Sequence, residues 1–412
     1  MAAPLRGGCS PRELRDLPYS NSGKHVHALD VFLPCAGCPA LGCPGQGHTK
    51  PPPLLPILFF LHGGGWKSGT RRHVSTVGRS LARRGIIAVC PSYTLSPVAL
   101  ADMAPFYLAV GGCVGLLAVA ALLSTSPSTP PLSLILAALL PPTLQCLQHA
   151  MRWGVCPKGV AHPAHCHDAA AALRWVAAHA HEFGGDAAAI VVGGHSAGAH
   201  IASMLALSPA SWGAEGGAGS ATAAANPDDD ARGGGAGAAA AAAVPLQLCG
   251  AALLSGVYSA ALLEMASLPR WAPSRLFRRA WYLRTVFGRD EAAWPGCFAI
   301  GAMAAGARPP PGLPWLIVSA EHDWGLGAHA DELALRFAEL GVADVQRALL
   351  KGTGHITEVL GFDRPGWVGE DVCAPLLAAW VLRVCQGAPR GLGVAGIPGE
   401  GQPSARGVGG SG

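Results

Sequence analysis

The sequence predicts an α/β chain whose central sheet is mostly parallel and flanked by helices. Three observations predict it. First, LLPILFFL at 54–61 and GIIAVC at 85–90 are short, continuous apolar runs of the length of strands buried on both faces. Second, a helical stretch around Val77–Arg84 separates them, and strand, helix, strand is the rhythm of a parallel sheet. Third, that rhythm resumes at residue 167 and continues through the apolar run LPWLIVSAEHD at 313–323.

Each element has a local reason. HDAAAALRWVAAHAHEF at 167–183 has strong helix formers with apolar residues at helical spacing, and Gly184-Gly185-Asp186 stops it. AAIVVGG then reads as a strand and AHIASMLALS, after Gly198, as a helix. Residues 213–243 are a Gly/Ala-rich tract without apolar periodicity, expected to be a disordered insertion because it cannot bury enough apolar area to offset its ordering entropy. VPLQLCGAALLSGVY returns to strand, and ADELALRFAELG is an amphipathic helix. Residues 387–412 read as a disordered Gly/Pro-rich tail, so the folded domain is placed at 16–386.

Composition excludes some classes. The net charge of +4 over 412 residues, with scattered basic residues, leaves no nucleic-acid footprint. The N-terminal MAAPLRGGCSPRELRDLPYS lacks the apolar core of a cleavable signal peptide, and the 13 cysteines are expected to be free thiols in a reducing compartment. Cys35, Cys38 and Cys43 are spaced C-x2-C-x4-C, but beyond His48 no matching ligand pair follows, so no metal is assigned.

Gly194-His195-Ser196-Ala197-Gly198 lies between the apolar strand and a helix, and that context gives Gly-x-Ser-x-Gly its meaning. A sharp strand-to-helix turn exposes the serine hydroxyl and aims a helix N-terminus at a developing anion, which makes Ser196 the candidate nucleophile. His62-Gly63-Gly64-Gly65-Trp66 follows an earlier strand, where side-chain-free backbone amides can approach an oxyanion; the amide of Ala197 adds a donor. An acid and a base should follow in the order Ser, Asp or Glu, His. Asp323 ends the strand WLIVSAEHD, and His355 stands in LLKGTGHIT, 32 residues on. Glu321, within the strand run, and Asp331, opening the next helix, are rival acids. His195, His73 and His200 have the simpler reading of packing or solvent-facing residues, and Asp168 that of a helix cap or anchor.

These motifs resemble the α/β-hydrolase superfamily and, within it, the HGGG-type esterases that include kynurenine formamidases and isoprenylcysteine methylesterases. HALDVFLP, LHGGGWKSG, YTLSP, HPAHCHDAAAALRWV, FGGDAAAIVVGGHSAGAHIA, LLSGVY and GHIT carry the likeness. It implies an α/β-hydrolase fold, a triad of Ser196, Asp323 and His355, and an oxyanion hole of Gly64, Gly65 and Ala197. The expected activity is that of a serine esterase acting on a small, apolar ester without a cofactor. An arylformamidase is the alternative, and a membrane-tethered binding protein on an inactive scaffold is the alternative of another class.

Relatives of this type have only a few residues between the segments resembling YTLSP and HPAH. Here residues 98–161 intervene, with apolar stretches at 104–123 and 132–147. A lone membrane crossing would put the HGGG and Ser196 strands on opposite faces of a bilayer, although both belong to one sheet. A helical hairpin with both ends on one side, a re-entrant or interfacial insertion, an active-site lid and a translated segment with no fixed structure remain. Residues 104–147 are therefore a candidate membrane contact; His149, Arg152 and Lys158 suit a cytoplasmic flank, and without membrane contact the expected location is cytoplasmic.

Overall fold

The computed structural model describes residues 10–35, 54–96, 160–209, 247–265, 283–363 and 371–386. Among them eight strands form one sheet: β1 (Arg12–Pro18), β2 (Ala28–Leu33), β3 (Leu55–Leu61), β4 (Ile87–Pro91), β5 (Gly185–His195), β6 (Gly250–Leu254), β7 (Trp315–His322) and β8 (Val345–Gly354). Their order is β1-β2-β4-β3-β5-β6-β7-β8. β1 pairs antiparallel with β2, and β2 with β4; every pairing from β4 to β8 is parallel. The carboxyl ends of β3, β5, β7 and β8 consequently open on one edge of the sheet, where the connecting loops can meet.

Helices cover both faces, which is why β4 and β6 are buried at every position and β3 at all but its first. Along β3, Ile57, Phe59 and Leu61 enter one core cluster, while Leu58 and Phe60 enter the other. The first cluster takes in α2 (Ala164–His179), α3 (Ala197–Leu207) and α4 (Gly327–Glu339). The second takes in α1 (Ser75–Ala82) and α5 (Cys373–Cys385), with Trp380 2% exposed. Gly78 on α1 lets that helix lie close to the sheet, since a Cβ there would come within 2.3 Å of the Phe32 ring.

The antiparallel edge is fixed by charge rather than apolar pattern. Asp30, fully buried on β2, receives the Arg71 guanidinium at 3.1 Å and also pairs with Arg15. Cys90, Cys166, Cys249, Cys297, Cys373 and Cys385 are free thiols, whereas Cys35 is disulfide-bonded, against the free-thiol expectation. Residues 98–159 of the apolar insertion, both disorder expectations at 213–243 and 387–412, and Cys38, Cys43 and His48 lie outside the described residues. Among the described residues no helix is long and apolar enough to cross a membrane.

Candidate active site

The turn from β5 into α3 is tight enough to dictate its sequence. Ser196 sits at φ 55°, ψ −120°, a left-handed backbone that projects its side chain off the end of the sheet. A Cβ at Gly198 would lie 2.2 Å from the Leu61 carbonyl oxygen, and one at Gly194 would lie 2.5 Å from the Gly198 carbonyl. The neighbours are backbone and cannot rotate away, so both positions require glycine.

Beside this turn lies the loop after β3. Gly64 at φ 122° and Gly65 at φ 59° bend it, and the Gly64 carbonyl accepts from the amides of Lys67 and Ser68 at 3.2 and 3.0 Å. A side chain at Gly63 would meet His195 Nδ1 at 2.8 Å and Ser196 Cβ at 3.1 Å. The glycine loop therefore rests directly against the serine. Ala197 opens α3, so its amide has no acceptor within the helix.

The loops after β7 and β8 bring the other two residues. The His355 amide donates to the His322 carbonyl at 3.2 Å, fastening one loop to the other. His355 Nδ1 lies 2.5 Å from Asp323 Oδ1, and His355 Nε2 lies 3.0 Å from Ser196 Oγ. Asp323 and His355 are 4% and 3% exposed, and among the described residues Asp323 Oδ2 has no hydrogen-bond partner. A buried carboxylate accepts only, so Nδ1 carries the proton and the Nε2 lone pair faces the serine hydroxyl. The rival acids lie elsewhere: Glu321 accepts the Gly352 amide at 2.7 Å, and Asp331 is an exposed partner of Arg347 on α4.

A second imidazole–carboxylate pair backs this line. His195 Nε2 donates to the His355 carbonyl at 2.7 Å and lies 3.2 Å from Glu358 Oε1, whose side chain is fully buried. His195 thus bridges the glycine loop and the loop that holds His355. Glu358 is missing from the sequence reading; its only signal is an acid three residues after His355, and nothing in the sequence marks it as buried. His195, His355 and Glu358 are close enough to hold an ion, but the triad contacts already engage both nitrogens of His355.

His200 is buried and His73 is an exposed capping residue. His200 Nδ1 accepts from Trp66 Nε1 at 3.0 Å and its Nε2 donates to the Cys297 carbonyl at 2.8 Å, while His73 Nδ1 accepts the Thr70 amide in a cap. Asp168 lies inside α2 and anchors rather than caps it, accepting the Thr94 amide at 2.8 Å and facing His27 at 3.4 Å. Burial pushes His62, His200 and His329 down to about 4 from 6.5. These side chains are neutral when folded but protonate at ordinary values when unfolded. The unfolded state therefore binds more protons between pH 6.5 and about 4. Stability should fall through that window by about 1.4 kcal/mol per pH unit for each histidine and level off below it. A Tm series across that range checks the slope.

Comparison with known proteins bears on the fold around this site. The model of the BD-FAE family matches residues 157–226. A curated esterase from Gibberella moniliformis (strain M3125 / FGSC 7600) is 43% identical over 44 residues, 10% of this chain and 14% of that protein, so the match spans a small part of either. Esterase B from Lactobacillus rhamnosis superposes with a TM-score of 0.56 at 16% identity, covering 92% of this chain and 87% of that one. A truncated carbohydrate esterase from gut microbiota superposes with 0.54 at 13% identity, covering 93% and 99%. At such identities the likeness carries the fold: a mostly parallel sheet with flanking helices, as in α/β-hydrolases.

Proposed function

We infer that this chain, an α/β-hydrolase fold resembling serine esterases, cleaves a carboxylic ester through an acyl-enzyme. The observation that carries the reading is the unbroken line from Ser196 Oγ through His355 to Asp323, at 3.0 and 2.5 Å. In this reading His355 Nε2 takes the hydroxyl proton as Ser196 Oγ attacks the ester carbon. Amides of Gly64, Gly65 and Ala197 receive the oxyanion, each such donor contributing on the order of 3 kcal/mol to the transition state. His355 then returns the proton to the leaving alkoxide, and water repeats the sequence on the acyl-enzyme.

An apolar substrate, such as a prenylcysteine methyl ester, is supported by the rim of the site. Trp324 is 52% exposed with its ring 4.4 Å from that of His355, and Ile356 and Leu360 are also exposed. Trp324→Ser should raise KM for a long-chain ester by about tenfold and leave that for an acetyl ester nearly unchanged, because only the longer chain covers the indole. Steady-state kinetics on the two esters checks this.

The apolar insertion at 98–161 fits the same substrates as a hairpin that seats the site beside lipid. Fractionation with a carbonate wash should leave the intact protein with membranes; recovery in the soluble fraction would sink the hairpin.

A panel of p-nitrophenyl esters of rising chain length, a prenylcysteine methyl ester and N-formylkynurenine tests the function. Ester turnover that improves with apolar length is expected. Preference for the formamide would make the chain an arylformamidase. Absence of turnover together with no labelling by a fluorophosphonate would leave a binding protein on a hydrolase scaffold, against which the complete set of reactive groups argues.

A further inference from the structure

The entry to α2 and its first turn bring together three side chains that the ester chemistry does not use. His162 Nδ1 lies 3.4 Å from His165 Nε2 and 3.9 Å from Cys166 Sγ. One ligand atom from each residue lies within 4.8 Å of the other two. His165 and Cys166 are fully buried and His162 is partly so.

Protein contacts leave this group poorly satisfied. Only one proton can lie between the two facing nitrogens, their contact is long for a hydrogen bond, and among the described residues the buried His165 Nδ1 has no partner. A neutral imidazole offers one nitrogen lone pair as a ligand.

We propose that His162, His165 and Cys166 form a binding site for one thiophilic metal ion, Zn2+ or Cu+. With metal–nitrogen bonds of about 2.0–2.1 Å and a metal–sulfur bond of about 2.3 Å, the two measured edges subtend about 110° and 125° at a common centre. The first is near tetrahedral and the second slightly wider than trigonal. His200, the adjacent imidazole, is not a fourth ligand, since Trp66 and Cys297 engage both its nitrogens. Two nitrogens and one sulfur suffice for Cu+ and leave Zn2+ one open position. On binding, the Cys166 thiol forms its bond to the metal and releases its proton to solvent, so affinity rises with pH. The ion would tie the start of α2, where the His162 amide donates to the Val286 carbonyl at 2.6 Å and the ring packs on Phe287.

The test uses the full chain, stripped of metal by a chelator. It is titrated with Co2+ as an optical probe of a zinc site and, separately, with Cu+ against a chromophoric chelator. One equivalent per chain is expected in at least one arm, with a thiolate charge-transfer band in the near ultraviolet if Co2+ binds. Displacement of Co2+ by Zn2+ assigns zinc; uptake of Cu+ alone assigns copper. Cys166→Ser should abolish that equivalent and His165→Gln should weaken it at least tenfold, while both variants keep their ester hydrolysis, which shows that they fold. No stoichiometric uptake in either arm, or uptake undiminished in Cys166→Ser, would overturn the site.

Discussion

Ser196→Ala is expected to lower kcat for an activated ester by about five to six orders of magnitude, because it removes the atom that forms the acyl-enzyme. Stability should change little. Among the described residues the hydroxyl has one hydrogen bond, to His355 Nε2 at 3.0 Å, and the fold around the turn is held by Gly194, Gly198 and the Ser196 amide bonded to the Leu254 carbonyl at 2.9 Å. Residual rate above the uncatalysed reaction should persist, since the oxyanion donors and the substrate rim stay in place. Single-turnover kinetics with a chromogenic ester, beside a Tm comparison, separates loss of the nucleophile from loss of fold.

Asp323→Asn is expected to cost about four orders of magnitude in kcat. The carboxylate and the amide have the same shape, but an amide NH2 turned toward His355 Nδ1 is a donor where an acceptor is needed. That forces the proton onto Nε2, which then faces Ser196 Oγ without a lone pair to take its hydrogen. Among the described residues Asp323 Oδ2 makes no hydrogen bond, so the substitution acts through the 2.5 Å contact of Oδ1. Glu321→Gln, by contrast, removes a charge from a side chain bonded to the Gly352 amide and should leave the rate near wild type. Measuring kcat for the two variants on one ester distinguishes the two acids.

The central sheet was legible because its strands are covered on both faces and so appear in the sequence as unbroken apolar runs. ILFFL in β3 and IVV in β5 are of this kind. The edges were not. β1 reads RELRDLP, and its charges at Glu13, Arg15 and Asp16 pair with other strands and helices rather than marking a surface. β8 reads VQRALLKGTG and buries little beyond Leu350 and Thr353, so neither apolar run nor alternation announces it. The reactive residues were legible from order and context, since each follows a strand that ends on the same edge. Glu358 and the His162–His165–Cys166 turn were not, because burial, not residue type, gives them their chemistry.

The measurement that bears most directly on the whole account is peptide mapping of the purified chain after reaction with a fluorophosphonate. The account predicts one phosphonyl group per chain on the peptide containing Ser196, lost in Ser196→Ala and competed by an apolar ester. An adduct on another residue, or one that survives Ser196→Ala, would contradict it.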